Sequence, residues 1–597
     1  MRERAVVGLA LTAALARLIP LQWLHPLQWD EIEFFRATNW VRQGLVPYRD
    51  FWEHHTPLQW FLFAPVTALT SSPGAAAIIL MRWAQLPLWI AAFWFAMRLM
   101  QRAELPPFAR WSALAAVLAS SMFMGPAIEY RIDTVGCALY LAALFLHRRP
   151  LLAGALLCLA GLANLRLGPL LAATAILLAV IDLEEQRWRL QIRRALLIGA
   201  GVFIPLFLAA IYFIVTDSWR DLYRHVWFEN YLGDRFATDI RAGFTHRVML
   251  PFGLQILGSQ RGFSLTGVDP GGIAILIGGA FGLVLALRHA RRPNLLFTIA
   301  LLQLVNVAFI AKMKFVFHYH LEIVVMLMLP LLAFGLSRIA RREVVIAIVA
   351  AAWCVNLFAS VFRGKELDRA YQDLIMREVH ARTAPGDKVF DGIGWALRRE
   401  PAYRFWFLPD LTRQLVARGY ATSYAAHELP AAVIADFNAL TWLRNDRELQ
   451  QRLVRHYLPV WRNLWMPGLN ARLAPGATFS WTAPIDGAYR LYATPALARH
   501  PWFSRPLFVA TYHEEDAVRM SLVLDQTIEH PALTWSVAPR NGVIHLKKGQ
   551  SLDVTSRAGE EIGVMLVPGH DRIVFRQPPP RVTLDASTPR TTHIPFR

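Results

Sequence analysis

The chain has 597 residues, 55% of them hydrophobic and only 18% charged, which is too apolar for a soluble protein of this length and marks a polytopic membrane protein. Its net charge of +19 does not signal nucleic-acid binding: the Lys and Arg residues sit in short clusters between apolar runs, and no basic, aromatic-interleaved module is present. The three cysteines, Cys137, Cys158 and Cys354, all fall inside apolar stretches, so neither a disulfide framework nor a zinc spacing is indicated.

Arg2 and Arg4 precede an apolar run, Ala5–Leu24, read as a signal anchor with a cytoplasmic N-terminus. Beyond it lies a loop crowded with acids, histidines and aromatic residues, from Trp29-Asp30-Glu31-Ile32-Glu33 to Tyr48-Arg49-Asp50-Phe51-Trp52-Glu53-His54-His55-Thr56-Pro57. Trp23, Trp29, Trp40, Trp52 and Trp60 recur through it, as expected where a membrane meets water. Ionisable residues this close to hydrocarbon are costly unless paired or used, so this loop is the first candidate for a functional site.

Further apolar spans follow at Ala75–Met100, Trp111–Phe123, Val135–Leu146, Leu151–Ala163, Leu167–Ile181, Ala195–Val215, Gly272–Leu287, Leu295–Ile310, Leu321–Leu336 and Val344–Phe362, giving about eleven helices. Alternate connections carry arginine clusters, among them Arg148/Arg149 and Arg338/Arg341/Arg342, and these are cytoplasmic by the positive-inside rule. The loops of opposite parity then share the outer face: residues 28–70, the turn Glu129–Asp133, Asn164–Arg166, Asp217–Val268, Lys312–His320 and the C-terminal region. Leu58–Thr70 reads as a helix in the interface, because counting it as a span would invert every later loop.

From about Arg363 hydropathy drops. A helix at Leu367–Arg382, strands at Lys388–Phe390 and Ala432–Phe437, and a helix at Arg447–Tyr457 suggest a small α/β unit. Short alternating runs then read as hairpins, Ala477–Ala483 with Ala488–Thr494 about Asp486-Gly487, and Gly542–Leu546 with Leu552–Ser556 about Lys547–Gln550, pointing to a β-sandwich. Three regions result: a transmembrane domain over 1–362 with its first outer loop at 25–72, an α/β domain over 363–466 and a sandwich over 467–597, the last two on the outer face. Trp481, Tyr489 and Trp502 could stack on sugar rings, although core packing is the commoner use of such residues.

Three segments together resemble a known family. Asp30-Glu31 after the first span, with Gly44, Pro47-Tyr48 and His54-His55-Thr56-Pro57-Leu58, is similar to the first outer loop of GT-C-fold glycosyltransferases such as the protein mannosyltransferases, aminoarabinose transferases and rhizobial lipopolysaccharide galacturonosyltransferases. Glu129-Tyr130-Arg131-Ile132-Asp133 resembles their turn after the third span, and Lys312 through His320 their Lys-x-x-x-His-Tyr signature. The resemblance covers roughly 1–362. It implies a multi-pass protein of the inner membrane that moves a sugar, usually with inversion, from a polyprenyl-phosphate donor to a glycan, lipid or protein acceptor at the periplasmic face.

On that reading Asp30 is the candidate general base and Glu31 orients it or the acceptor. Arg131, Arg166, Lys312, Lys314 and His318 are candidates to hold the donor phosphate, where cations matter more than a general acid. Tyr48, Asp50, Glu53, His54, His55, Glu129, Asp133 and Tyr319 are candidates for substrate binding. No cofactor is required. Glu53, His54, His55 and Asp50 offer ligands for a divalent metal, but adjacent His side chains diverge on a helix and no third ligand is set by the spacing. The rival classes are a transporter or flippase of lipid-linked glycans, which would want ionisable residues at mid-membrane and broken helices in two matching halves, and a non-catalytic glycan-assembly protein.

Overall fold

The computed structural model describes, in the main, residues 18–180, 188–230, 270–289, 294–313, 318–339, 366–407, 429–434, 456–461, 464–495, 533–537 and 543–568. The chain divides into two compact units, Met1–Arg369 and Ala370–Arg597.

The first unit is helical: α1 (Trp29–Arg42), α2 (Leu58–Thr67), α3 (Ala75–Arg102), α4 (Pro107–Ala119), α5 (Ser121–Ile128), α6 (Ile132–Phe145), α7 (Pro150–Ala163), α8 (Gly168–Val180), α9 (Trp188–Val215), α10 (Pro270–His289), α11 (Leu295–Lys312) and α12 (Glu322–Ser337). Proline opens α4 and α7, where its missing N–H costs nothing. Ser120 breaks the expected span Trp111–Phe123 in two: its backbone is extended, and its hydroxyl accepts from Phe123 N as the cap of α5.

Among the described residues four helices are long and apolar enough to cross a membrane, Ala75–Arg102, Arg189–Val215, Leu295–Lys312 and Tyr319–Ser337, and further apolar helices are shorter. Of the expected spans, Val344–Phe362 and most of Ala5–Leu24 lie outside the described residues. Small residues set the helix packing. A side chain on Gly154 would strike the backbone of Ile198, and one on Gly282 that of Leu331, so α7 meets α9 and α10 meets α12 nearly backbone to backbone.

The boundary between the units falls within the first turn of α13 (Glu366–Ala381), close to the expected helix, and a five-stranded sheet follows in the second unit. Its strands are β1 (Lys388–Phe390), β2 (Glu400–Pro401), β3 (Ala432–Ile434), β4 (Tyr457–Trp461) and β5 (Leu464–Pro467), in the order β2-β1-β3-β5-β4. β1 pairs in parallel with β2 and β3, while β5 is antiparallel to β3 and β4. The expected helix over Arg447–Tyr457 lies outside the described residues except at its end, where Tyr457 opens β4.

The remaining strands are β6 (Leu469–Leu473), β7 (Thr478–Thr482), β8 (Gly487–Thr494), β9 (Leu533–Trp535), β10 (Val543–Leu546), β11 (Ser551–Ser556) and β12 (Ile562–Pro568). They form two antiparallel sheets, β10-β8-β12-β6 and β7-β11-β9, around one apolar core that includes Leu469, Trp481, Tyr489, Leu552 and Val564. The expected strands are present, but the expected hairpins are not. β7 and β8 belong to different sheets, as do β10 and β11. The two connecting turns bind each other instead: Asp486 accepts from Lys548 N at 2.7 Å, and Ala483 exchanges backbone bonds with Gly549 and Gln550. Each chain segment thereby crosses from one sheet to the other. Trp481 and Tyr489 meet edge to face inside the core, with ring centroids 5.2 Å apart, and are not placed to stack on a sugar. Trp502 lies outside the described residues.

Candidate functional site

Helix α1 starts in a capping box, in which Gln28 N donates to Glu31 Oε2 at 2.9 Å. This start sends Asp30, Glu31 and Glu33 in three directions. Glu31, with no exposed surface, takes a bidentate pair from Arg82, at 2.7 Å from Nε and 2.6 Å from Nη2, and accepts Tyr130 N at 2.8 Å. Arg82 also donates to the carbonyls of Gln22, His25 and Pro26. The Glu31 carboxylate is therefore saturated and ties the start of α1 to α3 and to the turn before α6. Sequence reading passed over Arg82; its signal was a lone arginine inside the apolar run Ala75–Met100.

Asp30 faces another cation. Arg131 Nη2 donates to Asp30 Oδ2 at 2.6 Å, Nη1 to Glu129 Oε2 at 3.0 Å and Nε to Asp133 Oδ2 at 3.4 Å. Asn164 donates to the other Asp133 oxygen at 2.8 Å, His25 lies 3.3 Å from Glu129, and Gln85 accepts the Arg131 backbone N–H. The Tyr319 ring closes one face of the guanidinium, its centroid 3.5 Å from Cζ. The expectation that Arg131 grips phosphate meets a different geometry, since its fork is already engaged by three carboxylates. Burial would raise the Asp30 carboxyl, but the Arg131 guanidinium outweighs it and holds the group below the usual carboxylate range. Asp30 is also the open one of the set: its side chain is 26% exposed, against 1% for Glu129 and 8% for Asp133.

Beside this knot a pocket is lined by Asp133, Asn164, Arg166, Tyr319, His320 and Glu322, among others. Arg166 Nη1 reaches His320 Nε2 at 2.5 Å, and its Cζ lies 6.0 Å from the Tyr319 ring. His320, Asn164 and Gln85 were not singled out as site residues: the first two are single polar residues at helix ends within the expected outer loops, Gln85 is one inside the apolar run of α3, and none carries a spacing signal. Lys312 is the exposed last residue of α11. Lys314 lies outside the described residues, as does the side chain of His318.

In this geometry the chain can be set beside solved structures. ArnT from Cupriavidus metallidurans bound to undecaprenyl phosphate is similar over 74% of this chain and 94% of that one, with a TM-score of 0.53 at 11% identity. The fold is GT-C. The archaeal oligosaccharyltransferase AglB from Archaeoglobus fulgidus, in complex with an inhibitory peptide and a dolichol-phosphate, aligns over 93% of this chain and 88% of that one at 13% identity, with a TM-score of 0.43. No protein-family model and no curated protein matches the chain.

Within this GT-C fold the rest of the first outer loop is built around buried groups. Tyr48 adopts a left-handed φ of 70°, a costly conformation for a bulky residue. It is held there by full burial and by its hydroxyl, which donates to His55 O at 2.6 Å. Asp50 closes the turn by accepting Val46 N at 2.7 Å and pairs with the half-exposed Arg49. Asp50 thus serves the loop itself. Glu53 Oε1 accepts the backbone N–H groups of His54, at 2.7 Å, and His55, at 3.2 Å, and lies 2.9 Å from His55 Nδ1. His54 stacks on Trp52, whose indole donates to Glu229 at 3.0 Å.

Proposed function

We propose that this chain is a membrane glycosyltransferase that moves a sugar from a polyprenyl-phosphate donor to a hydroxyl-bearing acceptor on the outer face of the inner membrane. The observation that carries the reading is the state of Asp30, a carboxylate ionised and aimed by Arg131 yet open on one side. Its Oδ2 is fixed by the guanidinium, and Oδ1 has no hydrogen-bond donor among the described residues. A carboxylate so held can take the proton of an incoming hydroxyl in line with attack at the anomeric carbon. Three carboxylates around one guanidinium leave surplus negative charge, which suits a transition state of oxocarbenium character.

The leaving group is a lipid phosphate, stable as an anion, so it needs a cation more than an acid. Arg166 lines the adjoining pocket and pairs with an imidazole, so it suits that task better than Arg131, whose role is to position Asp30. Lys312 and Lys314 remain candidates for the phosphate, and Tyr319 packs between the two arginines. That ArnT, with the same fold, has been crystallised with undecaprenyl phosphate supports the choice of donor class. The clustering of ionisable residues in one knot argues against a flippase, which would want them along a path.

The test incubates purified protein with a panel of polyprenyl-phosphate sugars and a membrane-derived acceptor extract, and measures release of polyprenyl phosphate. Asp30→Asn should lower turnover about 100- to 10,000-fold while donor binding persists. Arg166→Ala should raise the KM for donor more than it lowers kcat. Unchanged turnover in Asp30→Asn removes that residue from the mechanism.

A further inference from the structure

Two buried carboxylates in the first outer loop are not explained by sugar transfer. Glu33 and Glu53 have no exposed surface; both oxygens of Glu33 and Oε2 of Glu53 lack a hydrogen-bond partner. Leaving such groups unsatisfied in a low-dielectric site is expensive. Facing them are His54 and His55. One ligand-type atom from each of the four residues lies within 4.8 Å of all the others. The expectation that adjacent histidines diverge fails here because Glu53–His55 is not helical, and the two imidazole centroids are 3.9 Å apart. The ligand missing from the loop is supplied by α1.

The spacing identifies what belongs between them. Bonds of about 2.1 Å to a tetrahedral centre place neighbouring ligand atoms about 3.4 Å apart. His54 Nδ1 is 3.4 Å from Glu33 Oε1 and 3.4 Å from Glu53 Oε1, while His55 Nδ1 is 3.7 Å and 2.9 Å from the same two oxygens. A divalent ion at the centre would neutralise both carboxylates. The surroundings fix the ligands as metal sites require: the Tyr48 hydroxyl holds His55 O, Asn230 Nδ2 donates to His54 O at 2.8 Å, and Trp52 stacks on the His54 ring.

We propose that Glu33, Glu53, His54 and His55 bind one divalent transition-metal ion of the zinc class in tetrahedral N2O2 coordination, pinning the first outer loop onto α1. Two imidazoles and two carboxylates suit Zn2+ and disfavour Mg2+ or Ca2+, which take oxygen ligands at higher coordination number. The site stands whether or not the chain transfers sugars.

Detergent-purified full-length protein is stripped with a chelator, then titrated with Zn2+ and, separately, with Co2+ as a spectroscopic probe. We expect one equivalent of Zn2+ per chain, the intense visible d–d bands of tetrahedral Co2+, and a rise in thermal midpoint with Zn2+ that Mg2+ does not give. Glu33→Gln and His54→Ala should weaken binding at least about 100-fold, since even an outer-shell partner commonly contributes 10–100-fold; Arg49→Ala should bind as the parent does. Gel filtration checks that each variant is folded. The parent alone is decisive: failure to retain Zn2+, or octahedral Co2+ bands, overturns the site, as does undiminished affinity in both ligand variants.

Discussion

Glu31 and Glu33 stand two residues apart on α1, and neither has exposed surface, yet their surroundings are opposite. Glu31 receives four hydrogen bonds, two from Arg82 and two from backbone N–H groups. Glu33 receives none, and across from it are another carboxylate and two imidazoles. A buried carboxylate with its donors in place is a fastener; one without them awaits a proton, a cation or a ligand. Burial by itself says nothing about which.

That contrast can be broken from either side. The largest effect should come from Arg82→Leu, which strands Glu31 as a buried, unpaired charge and should cost about 3–5 kcal/mol in thermal or denaturant unfolding. A loss under about 1 kcal/mol would mean that Glu31 is not a fastener.

A smaller effect separates Glu33 by pH. Burial, then the Glu53 and Asp30 charges, push its carboxyl well above its ordinary value of 4.5. A raised acid holds its proton in the folded state after the unfolded chain has lost it, so the Glu33 contribution to stability falls as pH rises from about 4.5, by up to about 1.4 kcal/mol per pH unit. Metal-free Glu33→Gln should lack this slope, whereas parent protein loaded with Zn2+ should show a flattened one. Glu53 and Asp30 have the opposite sign, being held low, and their contribution disappears only as pH falls through the acid range. His55, lowered from 6.5 to about 4 by burial and by His54, is neutral in the folded chain while still charged in the unfolded one, so between those values it adds stability as pH rises and opposes Glu33; the difference between parent and Glu33→Gln isolates the Glu33 part. The smallest effect should be Arg49→Ala, which removes a solvent-screened pair with Asp50 and an exposed hydrogen bond to Thr216 O and should leave the thermal midpoint close to the parent's.

Much of the architecture was legible because membrane helices advertise themselves by length and hydropathy, and because paired β signals mark a sandwich. Asp30 and Arg131 could be named because acid and base in a short turn beside a span are rare enough to notice. What the sequence hid was partnership. Arg82 looks like an interruption of a span until Glu31 is seen against it, and Glu33, the residue that completes the Glu53–His55 cluster, comes from a separate element. The hairpins were misjudged for the same reason: alternation finds strands, but only the Asp486–Lys548 contact shows that adjacent strands part company at their turn.

The sandwich topology bears on how the protein is made. β6, the first of its described strands, is paired by β12, the last of them, from Leu469 opposite Leu566 to Leu473 opposite Ile562. β8 lies between β10 and β12, both of which follow it by roughly fifty residues or more. Among the described strands of that sheet only the β8–β10 pair can form before β12 emerges, so the sheet is completed only after Pro568 has been delivered. A nascent chain halted even a few residues short would present two bare strand edges to whatever is nearby.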